Sequence, residues 1–201
     1  MNNTLRLIGD CHGLYNSYHN LIKKPQYSIQ LGDFGFEYDT LKNVDPTRHK
    51  ILGGNHDNYD VIQNCPNYLG DFGTINLDGL DIFFIRDAYS VDKQYRIPGV
   101  SWWPQEELSY TQCLACIDLY DQVRPDLVIS HDCPEICKEY GILTNPDKII
   151  KTSTGTLLQE LLYLHSPRKW YFCHHHKDWW QFINNTDFRC LNELSYEDIS
   201  L

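Results

Sequence analysis

His49-Lys50-Ile51-Leu52-Gly53-Gly54-Asn55-His56-Asp57 is the stretch on which the reading of this chain turns. An apolar strand over His49 to Leu52 runs into two glycines and then into three polar side chains. The glycines let the backbone turn where a side chain would collide, and the residues after them can coordinate a cation, hydrogen-bond and move a proton. In an extended backbone Asn55 and Asp57 point one way and His56 the other. The stretch also reads as a turn with a cap, since Asn and Asp are common turn residues. The rest of the chain decides between the two.

Working outward, Leu5 to Ile8 is a short apolar run that ends in Gly9-Asp10-Cys11-His12-Gly13, a buried strand opening into a loop. Asp10 and His12 are two apart, so an extended backbone turns both toward one ligand. Tyr27 to Leu31 is the next strand, and it ends in Gly32-Asp33. Three successive strands thus each end in glycine and a potential ligand. Further on, Ile82 to Ile85 reads as a strand, Leu127 to Ile129 opens into Ser130-His131-Asp132, and Trp170 to Phe172 leads into Cys173-His174-His175-His176. Helical spacing is expected over Leu14 to Lys24, Gln105 to Val123, Pro134 to Tyr140 and Thr152 to His165. Residues 60–81 are turn-rich, residues 87–104 form a long irregular loop, and Trp179 to Leu194 reads as a hairpin turning near Asn184-Asn185. Glu193 to Asp198 reads as a solvated acidic end.

The chain of 201 residues, 42% hydrophobic and 13% aromatic, can bury one good-sized core. A single domain over 1–201 is expected. The formal net charge of -10 argues against a duplex nucleic-acid binder, whose affinity would rest on lysine and arginine. Two divalent ions would offset four of these charges. The start of the chain has no basic region, apolar core or small-residue cleavage site, and no apolar run approaches the roughly 20 residues of a membrane span. A cytoplasmic protein with no membrane partner is expected, its eight cysteines reduced.

Asp10, His12, Asp33, Asn55, His131, His174 and His176 all follow strands, where open α/β folds place their sites. Oxygen and imidazole nitrogen without an obligatory thiolate suit Mn, Fe, Zn or Ni better than Ca or Mg. Seven candidates exceed what one tetrahedral zinc would use and suit a pair of ions. His174 and His176 share a face in a strand-like geometry and His175 does not, so His175 is left out.

Asp10-Cys11-His12, Gly32-Asp33, Gly54-Asn55-His56-Asp57, His131 and Cys173-His174-His175-His176, in that order, resemble the motif blocks of the calcineurin-like metallophosphoesterases. The resemblance spans residues 10 to 176. It implies an α/β fold, a four-layer α-β-β-α sandwich with two packed mixed β-sheets. It also implies a dinuclear hydrolase of phosphate esters, either diesterase or monoesterase, with a metal-bridging hydroxide as nucleophile. By the same resemblance Asp10, His12 and His176 would hold one ion, Asn55, His131 and His174 the other, and Asp33 would bridge. His56 would contact the phosphate and protonate the leaving oxygen, with Asp57 orienting His56. Manganese is the first expectation for the two ions, with Fe, Zn and Ni as alternatives. The substrate implied is a small phosphorylated molecule such as a nucleotide.

Two departures qualify the match. Cys173 stands where the family motif has glycine, either as a tolerated substitution or as an extra soft ligand. Gly32-Asp33-Phe34-Gly35-Phe36-Glu37 lacks the arginine of the protein-serine/threonine phosphatase branch, which weighs against a protein phosphatase. Arg96 could take over the grip on phosphate, and Trp102 or Trp103 could stack on a base, although plugging the edge of the core is the favoured reading for the tryptophans. Cys113, Cys116, Cys133 and Cys137 have a spacing that could hold zinc, but four buried thiols are the expectation. A catalytically silent protein-binding scaffold is the alternative from another class. Such chains lose ligands, and here all seven positions are filled.

Overall fold

A computed structural model describes residues 3–143 and 150–201. Two sheets form. β1 (Thr4–Ile8), β2 (Tyr27–Gln30) and β3 (His49–Ile51) run parallel, and β10 (Tyr196–Ser200) joins antiparallel to β1. The second sheet has the order β4 (Phe72–Leu77), β5 (Leu80–Ile85), β6 (Leu127–Ser130), β7 (Lys169–Phe172), β9 (Thr186–Cys190), β8 (Trp179–Ile183). Its strands β5, β6, β7 and β9 are parallel, with β4 and β8 antiparallel at the two edges.

Period-2 alternation sorts the side chains into layers. Leu5, Leu7, Ile29, Leu31 and Leu52 of the first sheet meet Ile82, Phe84, Leu127, Ile129 and Tyr171 of the second, and this is the core between the sheets. The alternate residues Phe83, Ile85, Val128, Trp170 and Phe172 face outward onto α3 (Tyr110–Val123) and α5 (Ser153–Leu164), which contribute Cys116, Tyr120, Leu158 and Leu161. On the other side Ile8 and Ile51 pack with Tyr18 of α1 (Tyr15–Leu21), Tyr59 and Ile62 of α2 (Tyr59–Ile62), and Trp103. The expected four layers are therefore present. Among the described residues no helix is long and apolar enough to cross a membrane.

Three expectations change. The 60–81 stretch holds α2 and the whole of β4, whose glycine and alternating exposure hid an edge strand. The helix expected from Gln105 begins at Tyr110, where Ser109 and Gln112 form a capping box. The second half of the acidic end, Tyr196 to Asp198, lies in β10 rather than in a solvated tail. Asp198 takes both Arg6 Nε and Nη2 at 2.7 Å, and Glu197 accepts the Tyr171 hydroxyl at 2.7 Å, so the acids are spent on partners across the sheet edge. A short α4 (Glu135–Cys137) continues into a wide turn over Lys138–Ile142. Cys116, Cys133 and Cys137 are buried as free thiols and Cys113 partly so, as expected.

Candidate metal centre

The strand ends converge on one place. Asp10, Asp33, Asn55 and His131 are buried there, at 0%, 1%, 4% and 0% exposure, which only partners can compensate for charged and amide groups. Asp33 lies between two sets of donors. Its Oδ1 is 3.2 Å from His131 Nε2, and its Oδ2 is 3.7 Å from His12 Nε2. On the His12 side, His176 Nε2 stands 2.9 Å from His12 Nε2 and 3.5 Å from Asp10 Oδ2. On the other side, Asn55 Oδ1 is 3.3 Å from His131 Nε2, and Asp33, His131 and His174 bring ligand atoms within 4.8 Å of one another. Gly54 is required here, because any Cβ at that position would strike Asp33 Oδ1 and His131 Nε2.

Four of the seven residues, His12, Asp33, His174 and His176, have positive φ of 44°, 56°, 62° and 50°. Each such backbone costs of order 1 kcal/mol or more, and a cluster of them is typical of functional sites. The electrostatics follow from proximity. Burial alone would raise Asp33, but the adjoining His131 overrides it and holds the carboxyl below its usual range. Burial alone would lower His131; Asp33 and its hydrogen bond instead lift the imidazole to about 10. Burial pushes His174 down to about 3, so its ring is neutral at physiological pH.

The residues present fit a pair of cations. Asp10 Oδ2 is buried without a hydrogen-bond partner, and two imidazole nitrogens, His12 Nε2 and His176 Nε2, face each other beside it. A cation would satisfy all three. His131 Nδ1 donates to Leu31 O at 3.0 Å, which would leave Nε2 to meet a cation.

Supporting residues that the sequence did not single out as a group complete the arrangement. Asn55 Nδ2 donates to Ser90 Oγ at 3.2 Å, and the Ser90 hydroxyl donates to Glu106 Oε2 at 2.6 Å. Glu106 is 2% exposed and also accepts the Ser90 N–H at 2.9 Å. This relay fixes the amide so that Oδ1, not Nδ2, faces His131. Ser90 and Glu106 belong to the long loop and the short helical turn after it, where neither has a motif.

Asp57, Arg96 and Cys173 have partners that the sequence does not show. Asp57 does not touch the His56 ring. Its Oδ2 accepts N–H groups from Asp33 at 2.9 Å, Phe34 at 3.4 Å and Gly54 at 2.8 Å, while Oδ1 accepts Gly35 N–H at 3.2 Å and the Tyr38 hydroxyl at 2.8 Å. Asp57 ties the loop after β2 to the loop after β3. Arg96 does not present an empty fork. Its Nη1 donates to Asn55 O at 3.2 Å, and its Nη2 meets Asp92 Oδ1 at 2.7 Å and His56 Nε2 at 2.8 Å. Cys173 Sγ lies 3.2 Å from Leu31 O and 3.2 Å from His131 Nδ1, behind the ligand ring.

His175 turns from the seven to Asp132 Oδ1 at 3.0 Å and Cys133 Sγ at 3.3 Å. Lys138 Nζ holds the other oxygen of Asp132 at 3.4 Å. Trp103 is 3% exposed and donates to Asp60 Oδ2 at 2.8 Å, which fits the core-plug reading.

No protein-family model and no curated protein sequence matches the chain. Solved structures do. A dimetal phosphatase from Danio rerio superposes with a TM-score of 0.58 at 12% identity, over 100% of this chain and 93% of that one. The chain has the calcineurin-like metallophosphoesterase fold. A hypothetical protein from Thermus thermophilus shares the fold, with a TM-score of 0.51 at 14% identity over 94% of this chain and 75% of that one. So does a putative 5'-nucleotidase from Staphylococcus aureus, with a TM-score of 0.54 at 11% identity, covering 98% of this chain but 50% of the other. At these identities the likeness establishes the metallophosphoesterase fold, and the chemistry must be argued from the residues.

Proposed function

We propose that this chain hydrolyses phosphate esters at a dinuclear metal centre, with a small phosphorylated molecule such as a nucleotide as substrate. The observation that carries the reading is the position of Asp33, whose two oxygens face two separate donor sets, His12 on one side and His131 on the other. Asp10, His12 and His176 would hold one ion, Asn55, His131 and His174 the second, and Asp33 both. Divalent ions, manganese first among them, would supply Lewis acidity that activates a water and polarises the phosphoryl oxygens.

The chain's own residues do the rest. His56 is the proton donor to the leaving oxygen. Since a guanidinium only donates, His56 Nε2 is an acceptor while Arg96 rests on it, and the ring must exchange that contact for a proton before it can act. Burial, and then the Arg96 charge, lower the His56 pKa against the opposing pull of Asp33. Arg96, released toward an incoming phosphate, would change partner from imidazole to phosphoryl oxygen.

The test is a metal titration of stripped protein with manganese, read by elemental analysis and by hydrolysis of a mixed panel of phosphate monoesters and diesters. Two ions per chain together with restored hydrolysis support the reading. Two bound ions without hydrolysis of any ester would turn it toward a silent scaffold.

A further inference from the structure

Two recesses meet at His56. A cavity of about 660 Å³ opens over Asp33, Asn55 and His174 and carries Arg96 on its wall. A second, of about 420 Å³, is lined by Gly13, Tyr15, Gly35, Phe36 and Glu37. His56 lines both, His12 stands at the inner end of the second, and the two imidazole rings lie edge to face at 5.1 Å. The cluster of ligand atoms therefore sits at a junction rather than at the bottom of a single pocket.

The second recess is built with care. Gly35 has φ +112°, and a Cβ there would come within 2.8 Å of the Tyr15 hydroxyl and 3.0 Å of Gly13 N. Glycine therefore lets the two loops approach closely. Tyr15 is fixed at both ends, its ring against Phe34 at 5.2 Å and its hydroxyl accepting Glu37 N–H at 2.9 Å. Phe36 is 45% exposed yet held, its ring 5.5 Å from that of buried Trp103. Glu37 at the rim opposes an anionic occupant. Two aromatic rings, two glycines that present no side chain and a carboxylate suit a planar, uncharged group.

We infer that this recess is the subsite for a second ester arm, so that the substrate is a phosphodiester with one flat aromatic arm, as in a nucleoside or aryl group. The assignment rests on the phosphoesterase reading above. Because His56 Nε2 meets Arg96 in the larger recess, the leaving arm belongs there and the retained aromatic arm lies against Phe36. Water adds to phosphorus, the P–O bond to the leaving arm breaks, and that oxygen takes a proton. The products are an alcohol and a monoester that keeps the aromatic arm. A monoester has one arm and leaves the second recess empty.

The test compares kcat/KM for bis-p-nitrophenyl phosphate and p-nitrophenyl phosphate with the full chain reconstituted with manganese, in the native protein, Phe36→Ala and Phe36→Tyr. The diester is expected to be favoured at least tenfold. Loss of a stacking partner worth about 1–3 kcal/mol corresponds to a diester-to-monoester ratio lower by roughly fivefold or more in Phe36→Ala, with the ratio recovered in Phe36→Tyr. A monoester preference, or a ratio that Phe36→Ala does not move, overturns the subsite while the phosphoesterase reading stands. Silence on both esters with two ions bound overturns the phosphoesterase reading and the subsite together.

Discussion

Arg96 Nη2 lies 2.8 Å from His56 Nε2 while Asp92 Oδ1 holds the same nitrogen at 2.7 Å. The proposed proton donor is thus capped by a cation, and that cation is tethered by a carboxylate half-exposed on the same loop. Arg96→Ala removes a positive charge from the imidazole and raises the His56 pKa. The limb of the pH–rate profile that requires protonated His56 should move to higher pH, while kcat/KM falls because the phosphate loses a partner. A profile that keeps its position in Arg96→Ala would separate Arg96 from His56 in function.

Asp57→Ala should act on stability before it acts on chemistry. Five donors, four of them backbone N–H groups, lose their acceptor in a site where water does not reach. Losses of about 3–5 kcal/mol are expected for a buried, hydrogen-bonded charge, read by urea denaturation of the metal-free protein. An unchanged midpoint with abolished turnover would return Asp57 to the catalytic role that its motif suggested.

Ser90→Ala breaks the relay from Glu106 to Asn55 and lets the amide rotate. Affinity for one of the two ions should fall by about 10–100-fold, the range for supporting residues around a metal, with the other ion retained. Isothermal titration with manganese distinguishes this from equal weakening of both sites, which would place Ser90 outside the centre.

Metal uptake should release protons. His131, lifted to about 10 beside Asp33 in the metal-free protein, is protonated at neutral pH and must lose that proton to coordinate. Manganese affinity should therefore rise from pH 6 to pH 9. The stability of the metal-free chain should move the other way. A histidine raised above its unfolded value of 6.5 stabilises fully below that pH, and the benefit is lost as pH climbs toward about 10. Asp33, lowered, adds stability above its ordinary 3.8 and loses it in acid. Thermal unfolding of stripped protein should show its maximum from this pair between about pH 4 and 6.5.

The strand ends, and the seven polar residues that the structure brings together at them, were legible because both rest on local pattern. A strand of period 2 followed by glycine and a polar residue is visible without tertiary knowledge, and it recurs at β1, β2 and β3. The partners of Arg96 and Asp57, and the strand β10, were hidden for the opposite reason. Four of the five donors to Asp57 lie on a segment some twenty residues earlier, and two of the three partners of Arg96 lie some forty residues earlier. The acids of β10 look like solvent-facing charge until Arg6 and Tyr171 are placed beside them. Ser90 and Glu106 escaped notice because a relay of single residues leaves no spacing to read.

β10 has a further consequence in time. It completes the edge of β1, and the backbone beside it closes the first ligand loop: Gly9 N–H donates to Ser195 O at 3.0 Å and Leu194 N–H to Asp10 O at 2.9 Å. During synthesis β1 is made before this partner, which emerges some 190 residues later. Until then the nascent chain carries an open strand edge next to Asp10, a surface that can pair wrongly with other chains. The loop that carries Asp10 is thus closed only once β10 has been made, and a ribosome stalled before Tyr196 would display a chain with all seven candidate ligands synthesised and an unpaired β1 edge beside the first of them.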